Sequence, residues 1–315
     1  MNFDETVRPI HQRVQEFSLL LLSYFISPPP DTSSIESRLE RICLLEKKKI
    51  VTLYPNLNTQ HKYFTQYRNA LQSLQIPDPY LRILFSVFKL CSKDADARSL
   101  QRDSAIDIKA NNVALFDLPP FLHTCKKFLS DQPLDPYTVV IGLMGLTGRR
   151  SIEILKTAQF TPHGPHHLLF SGQAKTKNSP HAQHSYIIPV LANPKLIIDS
   201  LHKVRSTLPL SHWENEHISS IFSKRLARRV KGLSPYVLPR PPLSLSPRSL
   251  RSLYVASAYH LFKVSTKASF NAFAARVLGH SHLDKNTANS YTFYAIRPSS
   301  ALSRLSTLSL EEILK

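Results

Sequence analysis

Glycine is scarce in this chain, with 7 in 315 residues and none before Gly142. Glycine serves where the backbone must turn tightly or approach something closely. Its absence from the first 141 residues argues against special backbone there and leaves plain helical scaffold. Cysteine is scarcer still. Cys43, Cys91 and Cys125 are odd in number and far apart, which excludes a disulfide framework and a CxxC zinc site and fits a reducing compartment. Long apolar runs are also missing. The longest, Leu19 to Ile26, falls far short of the roughly 20 residues that span a bilayer. Asp4, Glu5 and Glu16 before it carry the wrong sign for a secretory leader. The run reads as a buried helix stopped by three prolines, Pro28 to Pro30, and no membrane partner is expected.

Acidic residues are the last shortage. The chain holds 22 Asp+Glu against 40 Lys+Arg. Residues 1–140 carry 17 basic and 15 acidic side chains, a net of +2, whereas residues 141–315 carry 23 and 7, a net of +16. A basic half of this size suits a polyanion, nucleic acid above all, with a solvated basic surface as the plainer alternative. The length fits two domains and is enough to bury a core without staples.

Helical spacing dominates what is present. Residues 32–100 read as an all-helical unit, with Leu39, Ile42, Leu45 and Ile50 on one face and further amphipathic helices at Tyr63–Leu74 and Tyr80–Leu90. Residues 103–120 lose that pattern and read as a linker. Helices follow at Phe121–Leu129 and Tyr137–Leu146. His167–Phe170 and His184–Val190 are short β-prone runs, consistent with a hairpin or three-stranded meander. Helical patterns resume at 195–206, 212–230, 247–262 and 268–278, with a short one near 285–294.

The sharpest segment is Gly142 to Leu155, in which an apolar helix runs into Thr147-Gly148 and Arg149-Arg150 open the next helix with Glu153 one turn further on. A helix start offers unpaired N–H groups to a phosphate, and Arg150 adds a forked cation. An ordinary turn between helices, with Glu153 pairing an arginine, is the plainer reading. Lys175 lies in Phe170-Ser-Gly-Gln-Ala-Lys-Thr-Lys177, on a turn from which a lysine can donate a proton. Arg248 and Arg251 stand one turn apart at another helix start. Leu278-Gly279-His280 closes a helix, and Tyr291 follows a polar turn. Lys224, Arg225, Arg228, Arg229 and Lys231 form a basic stripe that reads as a DNA phosphate track, a localisation signal or a solvated face. His163, His166, His167, His181 and His184 match no ordinary zinc spacing and have no cysteine beside them.

In order, Arg150, Lys175, Arg251, His280 and Tyr291 resemble the active-site set of the tyrosine recombinase superfamily: Arg, Lys, His-x-x-Arg, His and a nucleophilic Tyr. Thr147 to Glu153 is similar to its T-G-x-R-x-x-E box, and Leu278-Gly-His280 to its L-G-H box. The wording around Arg150, Lys175 and Tyr291 is most similar to the telomere resolvases, or protelomerases, as is a basic Arg248 at the first position of His-x-x-Arg.

The resemblance implies a mainly α fold with a small antiparallel β-sheet. A helical core-binding domain (1–104) precedes a tyrosine-recombinase-like catalytic domain (105–315). It implies DNA breaking and rejoining through a 3′-phosphotyrosyl link at Tyr291, giving covalently closed hairpin ends. Arg150, Arg251 and His280 hold the phosphate, Lys175 protonates the leaving 5′ oxygen, and Arg149, Arg248 and Lys177 support or bind phosphate. No cofactor or metal is implied. The implied partner is double-stranded DNA with an inverted-repeat target, bound by a homodimer, at the nucleoid or in the cytoplasm of a host cell. The gap from His280 to Tyr291 is longer than integrases commonly use, so Tyr294 is a rival nucleophile. After Tyr291 the sequence runs only to Lys315, without the extra C-terminal DNA-binding domain of some telomere resolvases. Two other functions stay open: an integrase or recombinase exchanging strands between duplexes, and a DNA-binding protein without catalysis.

Overall fold

The computed structural model describes residues 9–26, 34–174, 185–231, 233, 245–262, 268–280, 291, 293–298 and 309–314. The chain forms two compact units, Met1–Asp107 and Ile108–Lys315, and among the described residues helix is the dominant element.

The first unit is built from α1 (Ile10–Ile26), α2 (Ile35–Leu53), α3 (Leu57–Ser73), α4 (Asp78–Val87) and most of α5 (Ser92–Asn111). Ser34 and Asn56 cap α2 and α3 by accepting from main-chain N–H groups of the first turn. Phe17, Tyr67 and Phe88 meet at the centre, with Tyr67 and Phe88 stacked at 4.7 Å and Phe17 edge-on to both. Beside them Glu46 accepts from Arg13 Nη2 at 3.0 Å and from the Tyr67 hydroxyl at 2.6 Å. Two expectations fail here. Only Leu21 of the Leu19–Leu21 stretch is fully buried, with Leu19 62% and Leu20 46% exposed, because one face alone of α1 meets its neighbours. The segment from 103 is also not a linker lacking helix. α5 continues to Asn111, and it shows no apolar stripe because none of its side chains, where described, is buried.

The second unit is organised around α7 (Pro136–Thr147). Asp135 caps its start, Pro136 occupies the first turn, and every residue from Val139 to Thr147 is buried. A helix apolar on all sides belongs in a core, and α6 (Leu118–Ser130), α8 (Pro194–Thr207), α9 (Asn215–Lys231) and α10 (Pro247–Phe262) pack around it. A π-helical turn (Glu153–Thr157) leads into an antiparallel sheet in the order β2 (Gln159–Pro162), β3 (His167–Ser171), β4 (Tyr186–Pro189). Phe160, Phe170 and Tyr186 lie side by side across its three strands, at 5.7 and 5.4 Å between rings. α11 (Phe270–Leu278) and α12 (Leu310–Leu314) follow among the described residues. No β-prone run in the sequence signals a second sheet. In it, β1 (Ala114–Phe116) pairs in parallel with β5 (Tyr294–Ile296), with Ala114 opposite Tyr294. The helical pattern expected near 285–294 therefore ends in a strand at Tyr294, and residues 285–290 lie outside the described residues.

Candidate active site

The α7 helix stops at Gly148, whose φ of +69° is left-handed, with its N–H donating to Met144. A Cβ there would stand 2.2 Å from the Tyr254 ring, so only glycine fits the turn. Helix resumes at Ser151, and the adjacent arginines Arg149 and Arg150 go to different places.

Arg150 goes to the surface side. Its side chain is 22% exposed, and Nη1 donates to Glu153 Oε1 at 2.7 Å and to the Ala174 carbonyl at 3.1 Å. Glu153 is fully buried and serves as the hub. Besides Arg150 Nη1 it accepts from the Arg150 main-chain N–H at 2.7 Å and from the Ala174 N–H at 3.1 Å. Of the helix-start N–H groups, that of Arg150 is thus taken by Glu153, as in the plainer reading in which Glu153 pairs an arginine. From the other side Arg251, 3% exposed on α10, stands 3.8 Å from Glu153 and donates to the Gly148 carbonyl at 2.8 Å. Burial alone would raise the Glu153 pKa, but the charges of Arg149, Arg251 and Arg150 outweigh it and hold the carboxyl below its ordinary range.

Arg251 is incompletely used. Among the described residues its Nε and Nη2 are buried without a hydrogen-bond partner, and burial pulls its pKa down from the ordinary arginine value. Buried donors of this kind are costly unless a ligand meets them. The guanidinium lies 5.8 Å from the centre of the Tyr291 ring. Tyr291, 4% exposed, presents its hydroxyl 3.2 Å from His280 Nε2. His280 itself follows Gly279, which ends α11 in the left-handed conformation at φ +67°. One chain of contacts therefore runs Arg150, Glu153, Arg251, Tyr291, His280, drawn from four separate stretches of sequence.

The other expected residues are placed as follows. Lys175 and Lys177 lie outside the described residues, as do His181 and His184. Their segment departs from Ala174, which is fastened to Arg150 and Glu153. Tyr294 is 8% exposed in β5, on a cleft shared with Tyr259, His260 and Phe270. Arg248 is exposed in the first turn of α10, whose start Ser246 and Ser249 cap reciprocally at 3.2 Å. Arg149 is enclosed by protein at 0% exposure, so a phosphate contact is not its place. Lys224, Arg225, Arg228, Arg229 and Lys231 are all exposed on α9, with Arg225 bonded to Tyr137 and Arg229 3.1 Å from Asp135. Among the described residues no three His, Cys, Asp or Glu side chains are grouped to hold a metal ion.

Sequence reasoning missed Arg205. From α8 it donates to the carbonyls of Glu153 and Ile154 at 2.9 and 3.0 Å, propping the π-turn that carries the hub. Nothing in its local sequence signals this, because the contact exists only once α8 packs on that turn.

The profile of the telomere resolvase ResT/TelK catalytic domain matches residues 112–294. The telomere resolvase ResT of Borreliella burgdorferi is 27% identical over 173 residues, covering 54% of this chain and 37% of that protein. The protelomerase of Yersinia phage PY54 is 25% identical over 245 residues, covering 71% of this chain and 38% of that protein. The chain thus spans well under half the length of these curated relatives. Among solved structures, a protelomerase TelA covalently complexed with substrate DNA matches with a TM-score of 0.77 at 26% identity, covering 97% of this chain and 95% of that one. A TelA mutant complexed with DNA hairpin product matches at 0.74 and 24% identity, covering 95% and 97%. The fold, the ordered site and the extent of the profile agree: the chain belongs to the telomere resolvase ResT/TelK catalytic-domain family.

Proposed function

We propose that this chain breaks and rejoins DNA through a 3′-phosphotyrosyl intermediate at Tyr291 and leaves covalently closed hairpin ends. The observation that carries the reading is Arg251. Its two unpartnered donors sit in the same contact chain as Tyr291 and His280, in a cluster where Arg149, Arg150 and Arg251 surround the lone carboxylate of Glu153.

A phosphodiester resists attack because its oxygens already carry charge and the transition state gathers more. Arg251 and the exposed part of Arg150 supply fixed positive charge and N–H donors to the non-bridging oxygens. Such donors are worth on the order of 2.7–4 kcal/mol each at a site that stabilises developing charge. A free phenol has a pKa of about 10, so the Tyr291 hydroxyl needs a base to take its proton. His280 Nε2, at hydrogen-bond distance, orients the Tyr291 hydroxyl and accepts its proton as the oxygen attacks. The Tyr291 oxygen then bonds to phosphorus, and the 5′ oxygen leaves with a proton from Lys175. The phosphotyrosyl bond keeps the energy of the phosphodiester, so a free 5′ hydroxyl can reseal it without a nucleotide cofactor. Resealing onto the complementary strand gives the hairpin. That TelA structures are described as complexed covalently with substrate DNA, and with a hairpin product, supports both stages.

The partner is double-stranded DNA with an inverted repeat, met by a two-fold pair of chains. Unit 1 is its core-binding domain, and α9 contributes the exposed cations of its phosphate track. The reaction belongs in the cytoplasm or at the nucleoid of a host cell. No described helix is long and apolar enough to cross a membrane. The test is incubation with linear duplexes carrying inverted repeats of randomised sequence, read on a denaturing gel with EDTA present. Snap-back hairpins are expected. Strand-exchanged products would indicate a recombinase, and a mobility shift with no covalent product would indicate binding alone; either result overturns the reading.

A further inference from the structure

Among the described residues Arg149 is the largest fully buried side chain, and phosphate chemistry does not account for it. Its guanidinium stacks on the Phe170 ring at 4.5 Å and lies 5.7 Å from the Tyr186 ring. Nε donates to the Thr147 carbonyl at 3.2 Å, Nη1 to the Tyr186 hydroxyl at 2.6 Å, and Nη2 to the Val277 carbonyl. Tyr186 passes the connection on by donating to Gln173 Oε1 at 2.9 Å, and Gln173 Nε2 donates to the Gly279 carbonyl at 2.8 Å. Both branches end on the main chain beside His280, one three residues before it and one immediately before it. The fit at the second is close. A Cβ on Gly279 would stand 2.0 Å from Gln173 Oε1 and 2.4 Å from the Tyr186 hydroxyl.

We infer that Arg149, Tyr186 and Gln173 are positioning residues that fix the turn carrying His280 and so hold its Nε2 against the Tyr291 hydroxyl. The inference rests on the functional reading above and extends it from groups facing the phosphate to a buried relay behind them. A helix end alone leaves the last carbonyls of α11 unpaired and free to drift. Here the Val277 and Gly279 carbonyls are each tied to a side chain that is itself fixed from the sheet. The 3.2 Å contact depends on that placement, and misplacement of about 1 Å is enough to cost on the order of a hundredfold in rate.

The test is a double-mutant cycle on adduct formation, using an inverted-repeat duplex that the unsubstituted chain processes, under single-turnover conditions. Tyr186→Phe is expected to slow adduct formation about tenfold to a hundredfold, while DNA affinity stays unchanged. In a His280→Ala background the same substitution is expected to cost nothing further, since the relay then has no imidazole to place. Gln173→Met, which keeps the volume and removes both hydrogen bonds, provides the same cycle if Tyr186→Phe lowers the melting temperature. Losses that multiply in the His280→Ala background, or full activity in both single variants, overturn the relay. Absence of any adduct from the unsubstituted chain overturns the functional reading itself, and the relay with it.

Discussion

Each unit of the molecule sets a carboxylate against arginine, Glu46 partly buried in the first and Glu153 fully buried in the second, and the two differ in balance. In the N-terminal unit Glu46 is met by one guanidinium, Arg13, and by the Tyr67 hydroxyl, at 3.0 and 2.6 Å. Burial works against the charge of Arg13, and Glu46 more than restores it, so its pKa ends above the ordinary value. The charges cancel, and the arrangement reads as a clasp between α1, α2 and α3. In the C-terminal unit Glu153 answers three arginines, two of them fully or nearly fully buried. One negative charge against three positive leaves a surplus, and Arg251 still has two buried donors unmet. A balanced pair is structure; a surplus held rigidly in place is a site for an anion. The uneven distribution of charge along the sequence, +2 in residues 1–140 against +16 in residues 141–315, has this local counterpart.

The comparison breaks most visibly with two substitutions of the same kind. Arg251→Met should lower phosphotyrosyl adduct formation on the order of 10²–10³-fold, with no loss of melting temperature, because it relieves a crowd of like charges. Arg13→Met should do the opposite. It leaves Glu46 without its cation and should cost the N-terminal unit about 1.5–3 kcal/mol of stability in a denaturant titration. Equal destabilisation by both would show that the surplus is no surplus.

An acid titration of Glu153→Gln sharpens the same point. Because the folded Glu153 pKa lies below the ordinary 4.5, its charge stabilises the folded state fully above that value. The contribution is lost as pH falls from about 4.5 through the folded value. Melting curves should show the unsubstituted chain losing stability more steeply than the variant over that range, with parallel curves above pH 6. The smallest effect concerns Arg248, exposed on the first turn of α10. Arg248→Ala should reduce the salt dependence of DNA binding by about one unit of slope, the mark of one lost phosphate contact, and leave the melting temperature unchanged.

Much of this contrast could be read from residue order, and some of it could not. Arg150, Arg251 and His280 could be singled out because each lies at or near the end of a helix the sequence announces, α7, α10 and α11, and Tyr291 because it follows them after a polar turn. Gly148 and Gly279 marked the left-handed turns that deliver Arg150 and His280. Arg149 was the misleading neighbour. Two adjacent arginines look alike in sequence, and only the ring faces of Phe170 and Tyr186, twenty or more residues away, draw one of them inward. The same limit hid Arg205, whose partners lie across a helix packing, and the β1–β5 pair, whose three-residue strands are about 180 residues apart. The α5 helix went unread past residue 102 for a different reason. A helix that buries nothing carries no stripe.

The claim that the cluster around Glu153 serves Tyr291 is tested most directly by mapping the protein–DNA link. After the chain has reacted with an inverted-repeat duplex, nuclease and protease digestion followed by mass spectrometry should find the nucleotide phosphate on Tyr291, and Tyr291→Phe should yield none. A phosphate on Tyr294, or an adduct that survives Tyr291→Phe, would contradict the account.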